Sequence, residues 1–399
     1  MEIVLFVGIG ILLGIVAGLV PGLHINTIAA FFLASGNLFS AFSPIALASC
    51  LVAMAIVYSI LSFIPSILLG APDSENVLSV LPGHRMLLDG EAMEAIKITA
   101  AGGGIALLVV IGLSGIILEW LPGLMNLLKD KMFYLLLFVS CVGIAFERNK
   151  FWAAVIFAIA GIFGLITLNG FENEVVFPAL AGMFGISNLL FSLNENIRIP
   201  EQIKSKITLG KMELIKNSLL GTIAGAVVGV LPGIGGAQAT FLVQQLNPKQ
   251  GAKEFLVAHA AVNVSNTLFP LFVLATIGRT RSGIAVAIKE LIGQGGLWVL
   301  LGTALIAGII GIVLHLKIGI YLAQKLGDLK KESYRNLVLG VILFIVGSVF
   351  ALNGLGGLLV LLTGTLIGIL PIILGVRRAE CMGYFVIPAI VYYAGITYL

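Results

Sequence analysis

Charge is scarce in this 399-residue chain: 11% of residues are Asp, Glu, Lys or Arg, where soluble domains carry about 25%. Together with 59% hydrophobic residues and a mean hydropathy of +1.12, that scarcity excludes a soluble globular domain. Cysteine is scarce too. Cys50, Cys141 and Cys381 stand singly in or beside apolar segments. An odd number without paired spacing indicates neither a disulfide framework nor a metal cluster, and each reads as a small packing residue. No loop of the form Gly-x-x-x-x-Gly-Lys-Ser/Thr occurs, which argues against ATP-driven transport by this chain alone. The net charge of +4 is small and lies mostly in connectors between apolar runs, so it speaks of membrane topology rather than of nucleic acid. Met1-Glu2 followed by an apolar run lacks the basic start of a signal peptide, which predicts a retained helix there.

What the chain has in abundance is apolar sequence of spanning length, about 20 residues per segment. Such segments occur at 3–20, 44–69, 99–121, 132–146, 151–168, 175–193, 214–231, 254–277, 297–316, 337–352, 355–375 and 382–398. They predict an all-α polytopic protein of the cytoplasmic membrane with roughly 10–14 transmembrane segments. Between them, 21–39, 70–98, 232–250 and 278–296 hold Pro or Gly with polar residues. These predict broken helices, re-entrant hairpins or amphipathic connectors.

One element occurs twice. Gly18-Leu19-Val20-Pro21-Gly22-Leu23-His24-Ile25-Asn26-Thr27 and Gly229-Val230-Leu231-Pro232-Gly233-Ile234-Gly235-Gly236-Ala237-Gln238-Ala239-Thr240 each end a glycine-rich apolar run in Pro-Gly and continue into small and polar residues. Proline lacks an N–H and breaks a helix, and hydrocarbon cannot satisfy the groups so freed. At membrane depth such a break must be packed in protein or line a polar cavity. Proline at the first turn of a new half-helix leaves free N–H groups and a positive dipole end, which suit an anion. One Pro-Gly alone reads best as a kink; two matched copies with polar residues behind each read as a binding site. The pair also predicts an internal duplication, with a first membrane repeat over 1–193, a basic cytoplasmic linker over 194–213 and a second repeat over 214–399.

Charge placement adds an orientation. Arg198, Lys204, Lys206, Lys211 and Lys216 put the linker inside. Counting back through single crossings puts the Glu172/Glu174 loop outside, the Arg148/Lys150 loop inside and the Lys129/Lys131 loop outside. In the second half Lys317, Lys325, Lys330, Lys331 and Arg335, and also Arg377-Arg378, belong inside. Equivalent loops thus prefer opposite sides, as in an inverted repeat, which requires an odd number of crossings per half. The marked segments number six per half, so one broken element in each half would have to cross.

A second informative stretch, Gly70-Ala71-Pro72-Asp73-Ser74-Glu75-Asn76, leaves a spanning segment straight into hydroxyl, amide and carboxylate groups. It runs on to Gly83-His84-Arg85-Met86-Leu87-Leu88-Asp89-Gly90-Glu91-Ala92-Met93-Glu94-Ala95-Ile96. Its partner in the second half is Asn263-Val264-Ser265-Asn266-Thr267-Leu268-Phe269-Pro270, followed by Gly278-Arg279-Thr280-Arg281-Ser282. Further on come Phe163-Gly164-Leu165-Ile166-Thr167-Leu168-Asn169-Gly170 and Phe177-Pro178-Ala179-Leu180-Ala181-Gly182-Met183-Phe184-Gly185-Ile186. Taken with the paired Pro-Gly, these stretches resemble the large membrane permease subunit of tripartite tricarboxylate transporters. Members of that family carry a Gly-x-Pro-x-Ser/Thr-like break and a run Gly-Tyr-Pro-Met-x-x-x-Gly-x-Ala-x-x-Ala-Leu after the first Pro-Gly. Here His84-Arg85 stands where the family has Tyr-Pro, and His24-Ile25-Asn26 where it has small residues. The resemblance implies a secondary transporter for tri- or dicarboxylates that works with a small membrane subunit and an extracytoplasmic substrate-binding protein. A weaker resemblance, carried by the Pro-Gly elements alone, is to polyprenyl-phosphate translocases and implies a lipid phosphate as substrate.

The site these readings predict takes an anion between Pro21, Gly22, His24, Asn26 and Thr27 on one side and Pro232, Gly233, Gly235, Gly236, Gln238 and Thr240 on the other. Asn26, Thr27, Gln238 and Thr240 either join the free amides around an oxyanion or cap the half-helices. Arg279 and Arg281 are guanidinium candidates for a carboxylate or phosphate, or interfacial anchors at a helix end; His84 and Arg85 share that ambiguity. Asp73, Ser74 and Asn76 offer oxygen ligands to a coupling Na⁺ or H⁺, and Glu75 reads more as an N-terminal helix residue. His24 could couple transport to protons. Asn263 and Asn266, three apart, share a helical face, which either lines a cavity or bonds a neighbouring helix. No metal or organic cofactor is implied. An intramembrane enzyme using Asp73, His24 or His84 as acid and base is disfavoured, because no nucleophile–base spacing stands out. The numerous glycines suit helix packing in a monomer or a homodimer.

Overall fold

In hydrocarbon only a helix or a closed barrel satisfies its own backbone groups, and a chain this apolar folds accordingly. The computed structural model describes residues 1–20, 25, 28–29, 41–71, 78, 80–129, 131–145, 147–170, 175–194, 200–203, 206–230, 240, 243, 251–278, 282–327 and 331–395. Among these residues there are helices and no strand. In chain order the helices are α1 (Glu2–Leu19), α2 (Pro44–Leu61), α3 (Phe63–Leu68), α4 (Val80–Leu88), α5 (Ala92–Gly112), α6 (Ser114–Lys129), α7 (Met132–Ala145) and α8 (Lys150–Gly170). There follow α9 (Val176–Leu180), a π-helical turn (Ala181–Ile186), α10 (Ser187–Asn194), α11 (Lys211–Val230), α12 (Ala252–Ile277), α13 (Gly283–Ile292), α14 (Leu297–Gly327) and α15 (Lys331–Leu374). A 3₁₀ turn (Arg378–Met382) and α16 (Gly383–Tyr393) complete the described part.

Seven stretches among the described residues are long and apolar enough to cross a membrane: α1, α2 continued through α3, and the bulk of α5, α8, α12, α14 and α15. The shorter apolar helices Phe133–Ala145, Val176–Leu190 and Glu380–Tyr393 join them, so the protein is an all-α, multi-pass membrane protein. The runs at 337–352 and 355–375 are kept as the two arms of α15, broken between them at Gly354, whose φ of 62° and ψ of −153° only glycine adopts easily. Several boundaries differ from the hydropathy runs. The run at 99–121 starts earlier, at Ala92, and breaks after Gly112 into α6.

Depth of burial identifies the centre. The span over Pro44–Leu68 is 100% buried and that over Ala252–Ile277 is 72% buried, whereas Glu2–Leu19 is 28% buried. α2 and α12 are therefore interior, and α1 presents most of its surface outward. Each interior helix is flanked by a helix with glycines four residues apart, which lets backbones approach closely, the usual device between helices in lipid. On α1, a Cβ at Gly14 would stand 2.7 Å from the Met54 carbonyl oxygen, and one at Gly18 would stand 2.9 Å from Leu61 Cβ. On α11, a Cβ at Gly225 would stand 2.7 Å from the Val262 carbonyl oxygen, and one at Gly229 would stand 2.7 Å from Phe269 Cβ. Gly10 meets Cys50 and Gly221 meets Ala258 in the same manner. In both pairs residue numbers rise together, so the partners run parallel.

Each interior helix has a second parallel neighbour. Gly102 and Gly103 of α5 sit on Val257 and Val264 of α12, while Gly308 and Gly311 of α14 sit on Ile56 and Val57 of α2. α5 and α14 themselves meet head to tail: Gly104 lies against Ile312, Gly308 against Leu107 and Gly319 against Ile96. His315 Nε2 lies 3.0 Å from Thr99 Oγ1 at that crossing. The outer helices also interlock. Gly164 of α8 lies against Tyr384, Gly383 against Phe157 of α8, Gly182 of the π turn against Leu361 of α15, and Gly368 of α15 against Met183. Residues 200–203 and 206–210 lie over the start of α5 rather than hanging free. Gln202 Oε1 accepts from the Ala92 N–H at 3.0 Å, as an N-cap would, and its Nε2 donates to the Leu87 carbonyl at 3.0 Å.

Candidate functional site

Most of the predicted anion site lies outside the described residues: Pro21, Gly22, His24, Asn26, Thr27, Pro232, Gly233, Gly235, Gly236, Gln238, Arg279 and Arg281. The same holds for Asp73, Ser74, Glu75 and Asn76. Thr240, Asn263 and Asn266 are described. Thr240 is fully buried, and Asn263 and Asn266 face a common cavity.

That cavity, of about 60 Å³, lies between the two interior helices. It exceeds by several-fold the roughly 10–15 Å³ that one water molecule needs. α12 contributes Asn263, Asn266, Thr267 and Pro270, and α2 contributes Val52, Ala55 and Tyr58. Ile25 and Ser282 close it. In sequence Ile25 stands between His24 and Asn26, and Ser282 follows Arg281 directly.

The polar lining is ordered from within the helices. Asn263 Nδ2 donates to the Ser59 carbonyl of α2 at 3.0 Å, tying the two interior helices together at the cavity. Thr267 Oγ1 donates to the Asn263 carbonyl at 2.9 Å. Pro270 has no N–H and cannot donate to the Asn266 carbonyl one turn back, so the α12 ladder is interrupted beside the cavity. α2 is interrupted at the matching depth, where Ser62 forms a turn before α3, which contains Pro65. At the cavity's other edge Ser282 Oγ accepts from the Ala285 N–H at 3.2 Å and caps α13. Among the described lining residues none is charged. Amide and hydroxyl groups can orient a polar ligand by hydrogen bonds.

His84 and Arg85 lie elsewhere. His84 is buried, and its Nδ1 lies 3.1 Å from the Ile67 carbonyl of α3. A carbonyl only accepts, so Nδ1 carries the proton, and burial holds the imidazole below its ordinary pKa of 6.5. Arg85 is exposed and pairs loosely with Asp89 at 3.9 Å. Neither lines the cavity.

Two features escape a reading of the sequence. Tyr58 is one of the polar side chains that an almost wholly apolar helix places in the interior; the run Tyr58-Ser59 with Ser62 and Ser66 is a signal that could have marked it. The other is a buried ionic cluster of Glu94, Lys253 and Thr208, whose members lie far apart in the chain.

Comparison with known proteins supplies a context for this geometry. A family model described as "Tripartite tricarboxylate transporter TctA family" matches residues 4–383. A protein of Methanocaldococcus jannaschii described as uncharacterized is 28% identical over 408 residues, covering 98% of both chains. No solved structure matches the chain.

Proposed function

We propose a function from a premise now in hand: the chain belongs to the tripartite tricarboxylate transporter TctA family. It is a multi-pass membrane protein of a transporter family, in keeping with a non-enzymatic role. Within that frame it carries an organic anion of the tri- or dicarboxylate kind by alternating access. The observation that carries this reading is the cavity between the interior helices α2 and α12, lined by Tyr58, Asn263, Asn266 and Thr267. Asn263 and Asn266 orient the ligand's oxygens. Its charge is met by the half-helix amides at Pro21–Thr27 and Pro232–Thr240 and by Arg279 and Arg281. A coupling Na⁺ or H⁺ is held near Asp73, Ser74 and Asn76. The family's tripartite character implies a small membrane subunit and a substrate-binding protein as partners.

The two halves are taken to be an inverted duplication that rocks about the cavity. Three observations support this: matching glycine seams on α1 and α11, matching seats of α5 on α12 and of α14 on α2, and the antiparallel course of α5 and α14.

Ligand-induced thermal stabilisation of the purified protein tests the substrate class. Citrate and related carboxylates, with and without Na⁺, are compared with a short-chain polyprenyl phosphate. A carboxylate-specific shift is expected. A shift with the lipid phosphate alone would assign the site to a lipid-carrier translocase.

A further inference from the structure

The cavity is nearly symmetric in its framework, yet the two ends of the helix bundle are not alike. At one end Lys253, which opens α12, reaches back to α5. Its Nζ lies 2.9 Å from Glu94 Oε2 and 3.0 Å from Glu91 Oε2, and it donates to Thr208 Oγ1 at 3.1 Å. Thr208 in turn gives both its N–H and its hydroxyl to Glu94 Oε1, each at 2.7 Å. The Glu94 side chain is 1% exposed, so its charge is compensated by these partners. The cluster joins α5, α12 and the segment connecting the two halves.

The other end can be located by counting. Val264 receives Gly103, and Ile56 receives Gly308. Lys253 stands eleven residues before Val264, and Ile45 stands eleven before Ile56. Glu94 and Glu91 stand nine and twelve before Gly103; Val299 and Gly296 stand nine and twelve before Gly308. The place of the ion pairs is therefore taken by Ile45 lying against Gly296. Because α5 and α14 are antiparallel, these two places are at opposite ends of the bundle.

The charged end is the cytoplasmic one by the distribution of lysine. Gly319 of α14 lies against Ile96 of α5, so the end of α14 that bears Lys325 joins the linker lysines Lys206 and Lys211 at the start of α5.

We propose that Glu94, Lys253 and Thr208 form a one-ended latch that closes the cytoplasmic path to the cavity, so that opening on that side requires Lys253 to part from Glu94. The latch rests on the two-half transport reading. The ten residues from Lys253 to Asn263 set the latch about 15 Å above the cavity along α12.

The test is thiol accessibility in the purified full chain, in a background with Cys50, Cys141 and Cys381 replaced by alanine. Ala260→Cys reports the path between latch and cavity, and Ala48→Cys reports the other end; Ala260 is 2% and Ala48 0% exposed. With Lys253→Met, a membrane-impermeant maleimide should modify the cysteine at 260 about tenfold faster, while the cysteine at 48 stays protected. Lys253→Arg should restore protection. An unchanged rate at 260, or a joint rise at 48 and 260, overturns the latch. Both readouts are independent of transport, so failure to carry citrate would overturn the substrate reading and leave the latch standing or falling on its own result.

Discussion

α2 and α12 occupy the same kind of place and do different work there. Each is interior, each is gripped along one side by glycines spaced four apart, and each seats a second parallel helix. Counted from those shared contacts, Ala55 of α2 stands where α12 has Asn263, and Tyr58 where it has Asn266. One helix thus gives the cavity a methyl and a phenol, and the other gives it two amides. The packing framework of the two helices is alike, whereas the amides among the described lining residues come from α12. Under the proposed function, cargo would be held in a fixed orientation, because hydrogen-bonding capacity among the described lining residues lies mainly on the α12 side.

The contrast between the two halves can be pressed hardest at the helix starts. Lys253→Met removes a charged hydrogen bond from the buried Glu94 carboxylate, which keeps its two bonds from Thr208; losing such a bond costs about 1.5–3 kcal/mol. Lys253→Met should therefore lower the unfolding free energy by about that amount, read from denaturant titration in detergent. Ile45→Met, at the corresponding start of α2, should stay within about 1.5 kcal/mol of the parent. Equal losses at the two sites would remove the asymmetry between the ends.

The glycine seams come next. Gly14→Val and Gly225→Val both force branched side chains against a carbonyl that a Cβ would already crowd at 2.7 Å. Overpacking of this kind costs about 1–3 kcal/mol, and the two variants should lose similar stability. A tolerated Gly225→Val beside a damaging Gly14→Val would mean that the seams are not equivalent.

A smaller effect is expected at the hydrogen bond between the interior helices. Asn263→Ala removes the donor to the Ser59 carbonyl and should cost about 1–2 kcal/mol, whereas Ala55→Ser, at the matching place on α2, should change stability by less than that. Thermal melts of both variants check the difference.

The smallest concerns pH. Burial keeps the folded-state pKa of His84 below 6.5, so below that pH the unfolded chain takes up a proton that the folded one refuses. Stability is complete above pH 6.5 and declines as the pH falls through the range below it. His84→Gln, whose amide can still donate to the Ile67 carbonyl, should flatten that decline in melts between pH 7.5 and 5.5.

Much of the helical framework was legible in composition and spacing. The runs at 44–69 and 254–277 became Pro44–Leu68 and Ala252–Ile277, because both are apolar stretches bounded by proline or glycine. Asn263 and Asn266 were readable as a shared face for the simple reason that three residues nearly complete a turn. The break in α15 is legible too, since Gly354 falls in the gap between the runs at 337–352 and 355–375. Hydropathy could not reveal that Glu94 and Lys253, 159 residues apart, are partners, because pairing between distant helices leaves no local pattern. The Pro-Gly elements, which first suggested a site, are represented in the structure by neighbours such as Ile25 at the cavity wall.

The measurement that bears most directly on function is equilibrium binding of radiolabelled citrate to the purified protein, compared with Asn266→Leu, a change that keeps the side chain's size and removes its hydrogen bonds. Binding between α2 and α12 predicts at least about a tenfold loss of affinity, with the protein still folded by its melting curve. Undiminished affinity in Asn266→Leu would contradict the assignment of this cavity as the anion site.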